Sequence, residues 1–316
     1  VRRLVLRTMV SLPILLAPTD RVGAATAAGP EEARAPVAVR APLSAGVLRA
    51  MARKRVSADA AVADYWTADR MEAADHVPGG RPDAGRRLPP VRAVAQKTST
   101  GRISSRTVGK VFFRSSASGR DYSCSAAAVS SPSRNLISTA GHCVYDRDGG
   151  WHQNWVFVPF FDRGRRPYGI WRATWLAAFT GWVGRTEPGL DVAFVKVAAA
   201  DGGSLVDAVG GNGIRVGSSS RTRRLTILGY PFLPPYPGDR QFSCQGVTVP
   251  AGRRLRMACP LTTGASGGPW LEDFDAATGR GYIGGVTTNT DLANTSLWSP
   301  DFDDGVWALY RYADRL

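Results

Sequence analysis

"LTTGASGGPW", Leu261 to Trp270, sets one serine among three glycines and a proline. Gly264 to Gly268 reads as G-x-S-x-G, the strand-to-helix elbow that exposes a nucleophilic serine whose histidine base follows it in the chain. The same residues with Pro269 also read as G-x-S-G-G-P, a serine loop whose base precedes it. A Gly-rich turn between two strands is the third reading. The choice turns on where a histidine lies relative to Ser266.

The chain has three histidines, and none follows Ser266, which removes the elbow reading. His76 falls in an N-terminal region of helical pattern, and His152 sits in a Trp-rich turn where a surface or packing role fits. His142 stands in "NLISTAGHCV", at the end of an apolar strand and directly before Cys143. An acidic residue heads a later strand, "GLDVAFVKV", so the chain order is His142, Asp191, Ser266. An order of Asp, His, Ser would need an acidic motif upstream of His142, and there is none. Serine nucleophiles need a base to take the hydroxyl proton and a carboxylate to orient that base, and this order is that of the chymotrypsin triad.

With "TAGHC" and "SGGP" in this order, residues 103 to 316, about two-thirds of the chain, resemble a secreted bacterial trypsin-like serine peptidase of the chymotrypsin clan. The nearest branch is that of the glutamyl, V8-like endopeptidases. The resemblance implies two antiparallel six-stranded β-barrels, with His142 and Asp191 on the first and Ser266 on the second. It implies Ser266 as nucleophile, His142 as general base and then acid, and Asp191 as the group that holds the imidazole tautomer. The amides of Gly264 and Ser266 would form the oxyanion hole, worth roughly 2.7–4 kcal/mol per donor. By the same resemblance Cys124 bridges Cys143, Cys244 bridges Cys259, and Thr287, Thr288 and Asn289 wall the substrate pocket. Two positions depart from relatives. Ala265 stands where animal trypsins carry an aspartate that pairs with a new N-terminus, and Pro260 stands where trypsin has its pocket acid. No histidine occurs in "GGVTTNT", so neither a trypsin-type nor a Glu-type pocket is marked.

Outward from these motifs, short β-favouring runs recur between turn signals: "GKVFF", "SAAAV", "NLIST", "WVFVPFF", "DVAFVKV", "LTILGY", "GVTV" and "GYIGGVTT". Many short strands predict an all-β sandwich or barrel, and only the tail "VWALYRYADRL" reads as a helix. Residues 29 to 102 differ: they are rich in Ala, Arg and Pro and lack cysteine. There Val47, Leu48, Met51, Val62, Tyr65 and Trp66 recur at helical spacing, giving one or two amphipathic helices before the linker "PGGRPDAGRRLPPVR". This segment is expected to be a propeptide that covers the cleft, with Arg102-Ile103 or Arg106-Thr107 as processing sites. Residues 1 to 28 read as a signal peptide, from Arg2, Arg3 and Arg7, a short apolar run and small residues near Ala25 to Ala28.

The 316 residues, 44% hydrophobic, suffice for a sizeable core. A net charge of +14, from 40 Lys+Arg against 26 Asp+Glu, admits an anionic partner, but no basic helix, zinc-ligand pattern or aromatic RNA motif accompanies it. The expectation is a secreted, extracellular monomer acting on protein or peptide, with no cofactor, metal, nucleic acid or membrane anchor. A catalytically inactive binding protein and an esterase on the same fold are the alternatives.

Overall fold

Short strands bounded by Gly, Pro and Asn cannot bury their apolar faces singly, and here they do so by closing on themselves. The computed structural model describes residues 29, 31–76, 99–101, 103–200, 203–217, 222–291 and 293–316. The signal peptide expected over 1–28, the linker and Arg102 lie outside these residues.

Six antiparallel strands form the first barrel, in the order Trp171–Phe179, Ala193–Val197, Leu136–Thr139, Asp121–Val129, Val108–Arg114 and Gln153–Pro159, which returns to Trp171–Phe179. The second runs Arg280–Val286, Pro269–Asp275, Arg224–Gly229, Phe242–Ala251, Arg254–Ala258 and Ser296–Pro300. Its ends meet where the Val286 amide donates to Ser299 Oγ at 2.9 Å and the Thr288 amide to the Trp298 carbonyl at 2.9 Å. The two expected barrels are thus present. The tail forms a helix, Asp304–Asp314, capped by the Asp303 carboxylate, which accepts from the Gly305 and Val306 amides. It buries Val306, Leu309, Tyr310 and Ala313, one stripe at helical spacing.

The N-terminal segment is built into this framework. Ser44, Ser57 and Thr67 each cap a helix by accepting an amide three residues on, giving Ala45–Lys54, Ala58–Tyr65 and Ala68–Glu72. That is three helices where one or two were expected. Within the expected stripe Val47, Val62 and Trp66 are buried, whereas Leu48 is 51% exposed. Before the helices a strand unread in the sequence, Pro36–Arg40, pairs antiparallel with Trp175–Phe179 and extends the first barrel. Trp66 is fully buried, its ring 5.6 Å from that of Phe112 and its indole N–H donating to the Asn154 carbonyl at 2.7 Å. Past the linker, Ser99–Gly101 pairs with Ser243–Gln245 on the second barrel, ahead of the boundary expected at residue 103.

Candidate active site

His142 is delivered by the strand Leu136–Thr139, which ends in a tight 3-10 turn, Gly141–Cys143. Glycine is required at 141 because a Cβ would lie 2.8 Å from the Trp182 ring. Three contacts fix the turn. Cys143 is bonded to Cys124 with a Cα–Cα distance of 6.2 Å, a closure that contributes about 3 kcal/mol on a chain-entropy account. The Trp155 indole donates to the Cys143 carbonyl at 2.9 Å, and His152 Nε2 lies 3.3 Å from the His142 carbonyl. His152 is buried and stacked on Phe113, with ring centroids 4.3 Å apart. Burial lowers its pKa to about 4, so the ring is neutral at pH 7 and serves packing, not the surface.

Asp191 follows the turn Pro188–Leu190 and leads into Ala193–Val197, a strand that pairs with Leu136–Thr139. That pairing brings the two side chains together across 49 residues. Asp191 is 1% exposed. Its Oδ1 accepts the His142 backbone N–H at 2.8 Å and its Oδ2 lies 2.9 Å from His142 Nδ1. A carboxylate only accepts, so Nδ1 carries the proton and Nε2 presents its lone pair. That Nε2 is buried and has no hydrogen-bond partner among the described residues.

Ser266 sits in the turn before Pro269–Asp275, against the first barrel. Its carbonyl accepts the Ser125 amide at 2.7 Å. A Cβ on Gly267, at φ +79°, would lie 2.2 Å from the Ser125 carbonyl oxygen and 3.1 Å from the Ala140 nitrogen. The serine turn is therefore pressed onto the segment that leads into His142. Gly264 has φ +92°, and a Cβ there would meet the Tyr230 carbonyl oxygen at 2.4 Å. Ser125 Oγ donates to the Gly264 carbonyl at 2.8 Å and accepts the Tyr230 amide at 2.9 Å, tying that turn to the first barrel. Among the described residues the amides of Gly264 and Ser266 have no acceptor.

The segment expected to wall the pocket lies alongside. The Gly267 amide donates to the Thr287 carbonyl at 2.7 Å, and the Thr287 amide to the Gly268 carbonyl at 2.9 Å. Thr287 Oγ1 is committed to the Trp270 indole at 2.9 Å. Thr288 and Asn289 are buried beside Trp298. One expectation is corrected. Cys244 and Cys259 are neighbours, but both are free. The Cys244 thiol faces the Ala258 carbonyl at 3.7 Å, and its hydrogen bond with the Cys259 side chain, together with burial, raises its pKa. The sequence reading missed Ser125, Thr139, whose Oγ1 donates to the Ser125 carbonyl at 2.9 Å, and Trp182. Only Thr139, inside "STAGHC", carried a local signal.

Two β-barrels that match bacterial serine proteases give this chain the chymotrypsin-like serine-peptidase fold, with His142 on Asp191 beside the Ser266 turn as its candidate site. Its fold and sequence are similar to those of the protease Anisep from Arthrobacter nicotinovorans, at 28% identity and a TM-score of 0.64, over 69% of this chain and 99% of that one. Serine protease AL20 from an extremophilic microorganism is similar at 29% identity and a TM-score of 0.62, over 67% of this chain and 98% of that one. A Glu endopeptidase shares the fold at 18% identity and a TM-score of 0.54, over 69% of this chain and 97% of that one. The extracellular metalloprotease of Bacillus subtilis (strain 168) is 30% identical over 99 residues, 31% of this chain and only 30% of that relative's length. No protein-family model matches. Among the described residues the one cluster of possible metal ligands is Cys124, His142 and Cys143, and its two sulfurs are already joined to each other.

Proposed function

We propose that this chain is a secreted serine endopeptidase, made as a precursor, that cleaves peptide bonds through an acyl-enzyme on Ser266. The observation that carries the reading is the state of His142: Asp191 takes its Nδ1–H and its backbone amide, and Nε2 is left without a partner among the described residues. An imidazole so held is poised to accept a proton from the Ser266 hydroxyl as Oγ attacks the scissile carbonyl. The oxyanion is then stabilised by the amides of Gly264 and Ser266, whose lack of any acceptor among the described residues fits that task. The proton on Nε2 passes to the departing amine. Water, deprotonated in turn by His142, releases the acyl group and restores Ser266.

Thr287, Thr288 and Asn289 flank the residue before the scissile bond, with the Thr287 hydroxyl supporting the wall through Trp270 rather than reading the side chain. The chain acts as a monomer on protein or peptide. Residues 1–28 direct export, and processing falls at Arg102-Ile103 or Arg106-Thr107. The experiment is casein hydrolysis by the mature protein and by Ser266→Ala. The variant is expected to fold and to lose hydrolysis, and activity near the wild-type level would sink the assignment.

A further inference from the structure

The N-terminal segment ends against the turn that carries Gly264. Asp75 and His76 pair in parallel with Tyr122 and Ser123 on the first barrel. Ser123 Oγ donates to the Asp75 carbonyl at 3.1 Å, and Arg120 holds the Asp75 carboxylate at 2.6 Å. So anchored, the His76 ring stacks on Phe232 with centroids 4.6 Å apart and planes at 27°. The Phe232 ring is also met by Gly238, where a Cβ would come within 2.5 Å, and the Gly238 carbonyl accepts from the buried Lys110 ammonium at 2.9 Å. Phe232 in turn borders the catalytic turn. Its amide donates to the Thr263 carbonyl at 2.8 Å, and its Cβ and N lie 3.2 and 3.3 Å from where a Cβ on Gly264 would sit.

The rest of the segment holds this end in place. Pro36–Arg40 makes five register pairs with the barrel strand Trp175–Phe179. Ser44 and Asn154 exchange hydrogen bonds at 2.8 and 2.9 Å. Arg172 binds Asp59 at 2.8 Å, and Asp121 receives both the Tyr65 hydroxyl at 2.6 Å and Arg70 at 2.5 Å. Val47, Val62, Trp66 and Met71 are buried. A strand added to a barrel edge and four buried side chains describe a lasting interface, not a cover designed to leave.

We propose that the segment Glu31–His76 stays on the barrels after the chain is cut, as a working part of the mature peptidase, with His76 the positioning residue that holds Phe232 and thereby the Gly264 turn. The proposal rests on the serine-peptidase reading, and the co-elution readout of its first test is independent of that reading. A recognition site for a specific protease is inserted into the full chain between residues 77 and 98, the chain is cut there, and the product is examined by size exclusion and native mass spectrometry. The expected result is that the segment co-elutes with the barrels and Ser266-dependent hydrolysis persists. A segment that dissociates while hydrolysis is kept or rises overturns the proposal. The second test compares His76→Ala with His76→Phe, which keeps a stacked ring. His76→Ala is expected to lower kcat by about tenfold with KM within twofold, less than the roughly 10²–10³ lost on deleting an oxyanion donor. His76→Phe is expected to restore kcat to within threefold of wild type. An unchanged kcat in His76→Ala, a change confined to KM, or no rescue by phenylalanine refutes the positioning role. A wild-type protein without Ser266-dependent turnover refutes the peptidase reading instead, and co-elution still decides whether the segment stays.

Discussion

Gly264→Ala places a methyl group where the backbone leaves no room. At φ +92° an L side chain is strained wherever it points. The new Cβ would fall 2.4 Å from the Tyr230 carbonyl oxygen, and real Cβ atoms keep at least 3.0 Å, so the turn must move by about 0.6 Å or rotate. Tyr230 cannot yield easily, because it is fully buried in effect, 1% exposed, and its amide is held by Ser125 Oγ at 2.9 Å. The displaced group is therefore the Gly264 peptide, whose amide is proposed to face the oxyanion. Losing one such donor costs about 10²–10³ in kcat, and a misplacement near 1 Å costs on the order of 10². The expected outcome is a fall in kcat of about 10²-fold with KM within threefold, since the interaction is made in the transition state. Steady-state kinetics on a chromogenic peptide, with a thermal melt to verify folding, measure it. A folded Gly264→Ala protein that keeps kcat within threefold of wild type would refute the assignment of this amide.

Asp191→Asn should keep the geometry yet lower kcat by roughly 10⁴, because an amide can donate to Nδ1 and so select the wrong imidazole tautomer; a loss below tenfold points to another acid. His152 gives a pH prediction. Its folded pKa lies at about 4, below the unfolded 6.5, so between these values the unfolded chain binds the extra proton. Its contribution is full above pH 6.5 and is lost as pH falls through 4, a span of about 3 kcal/mol. Urea unfolding at pH 7 and 4.5 is expected to show a shallower decline in His152→Phe than in wild type, and parallel declines would contradict the assignment.

The site was more legible than its support. "TAGHC", "GLDVAFVKV" and "GASGGP" mark residues whose chemistry constrains their type, and the ladder between Ala193–Val197 and Leu136–Thr139 accounts for why His142 meets Asp191. Ser125 had no such mark. It is one serine in the apolar run "SAAAV", and its bond to Gly264 spans 139 residues. The strand Trp171–Phe179 escaped because the alternation of "WRATWLAAF" stops after four residues and its last four are all buried. Pro36–Arg40 escaped because five residues opening on a proline make a strand only where the barrel receives them. The helical stripe was read correctly at Val47, Val62 and Trp66 but not at Leu48, since spacing alone does not say which flank of a helix meets the barrel. The Cys244–Cys259 pair shows the converse: sequence brings the thiols together, and hydrogen bonding, not a bond between sulfurs, is what joins them here.

The central claim is that Ser266 is a nucleophile activated by His142, and covalent trapping tests it most directly. The purified protein is treated with a fluorophosphonate probe at pH 7.5, digested, and the adduct located by tandem mass spectrometry, alongside Ser266→Ala and His142→Ala. The account predicts one phosphonylated residue, Ser266, with labelling abolished in Ser266→Ala and slowed by orders of magnitude in His142→Ala, since a serine without its base is a weak nucleophile. A folded wild-type protein that takes up no probe, or carries it on a serine other than Ser266, would contradict it.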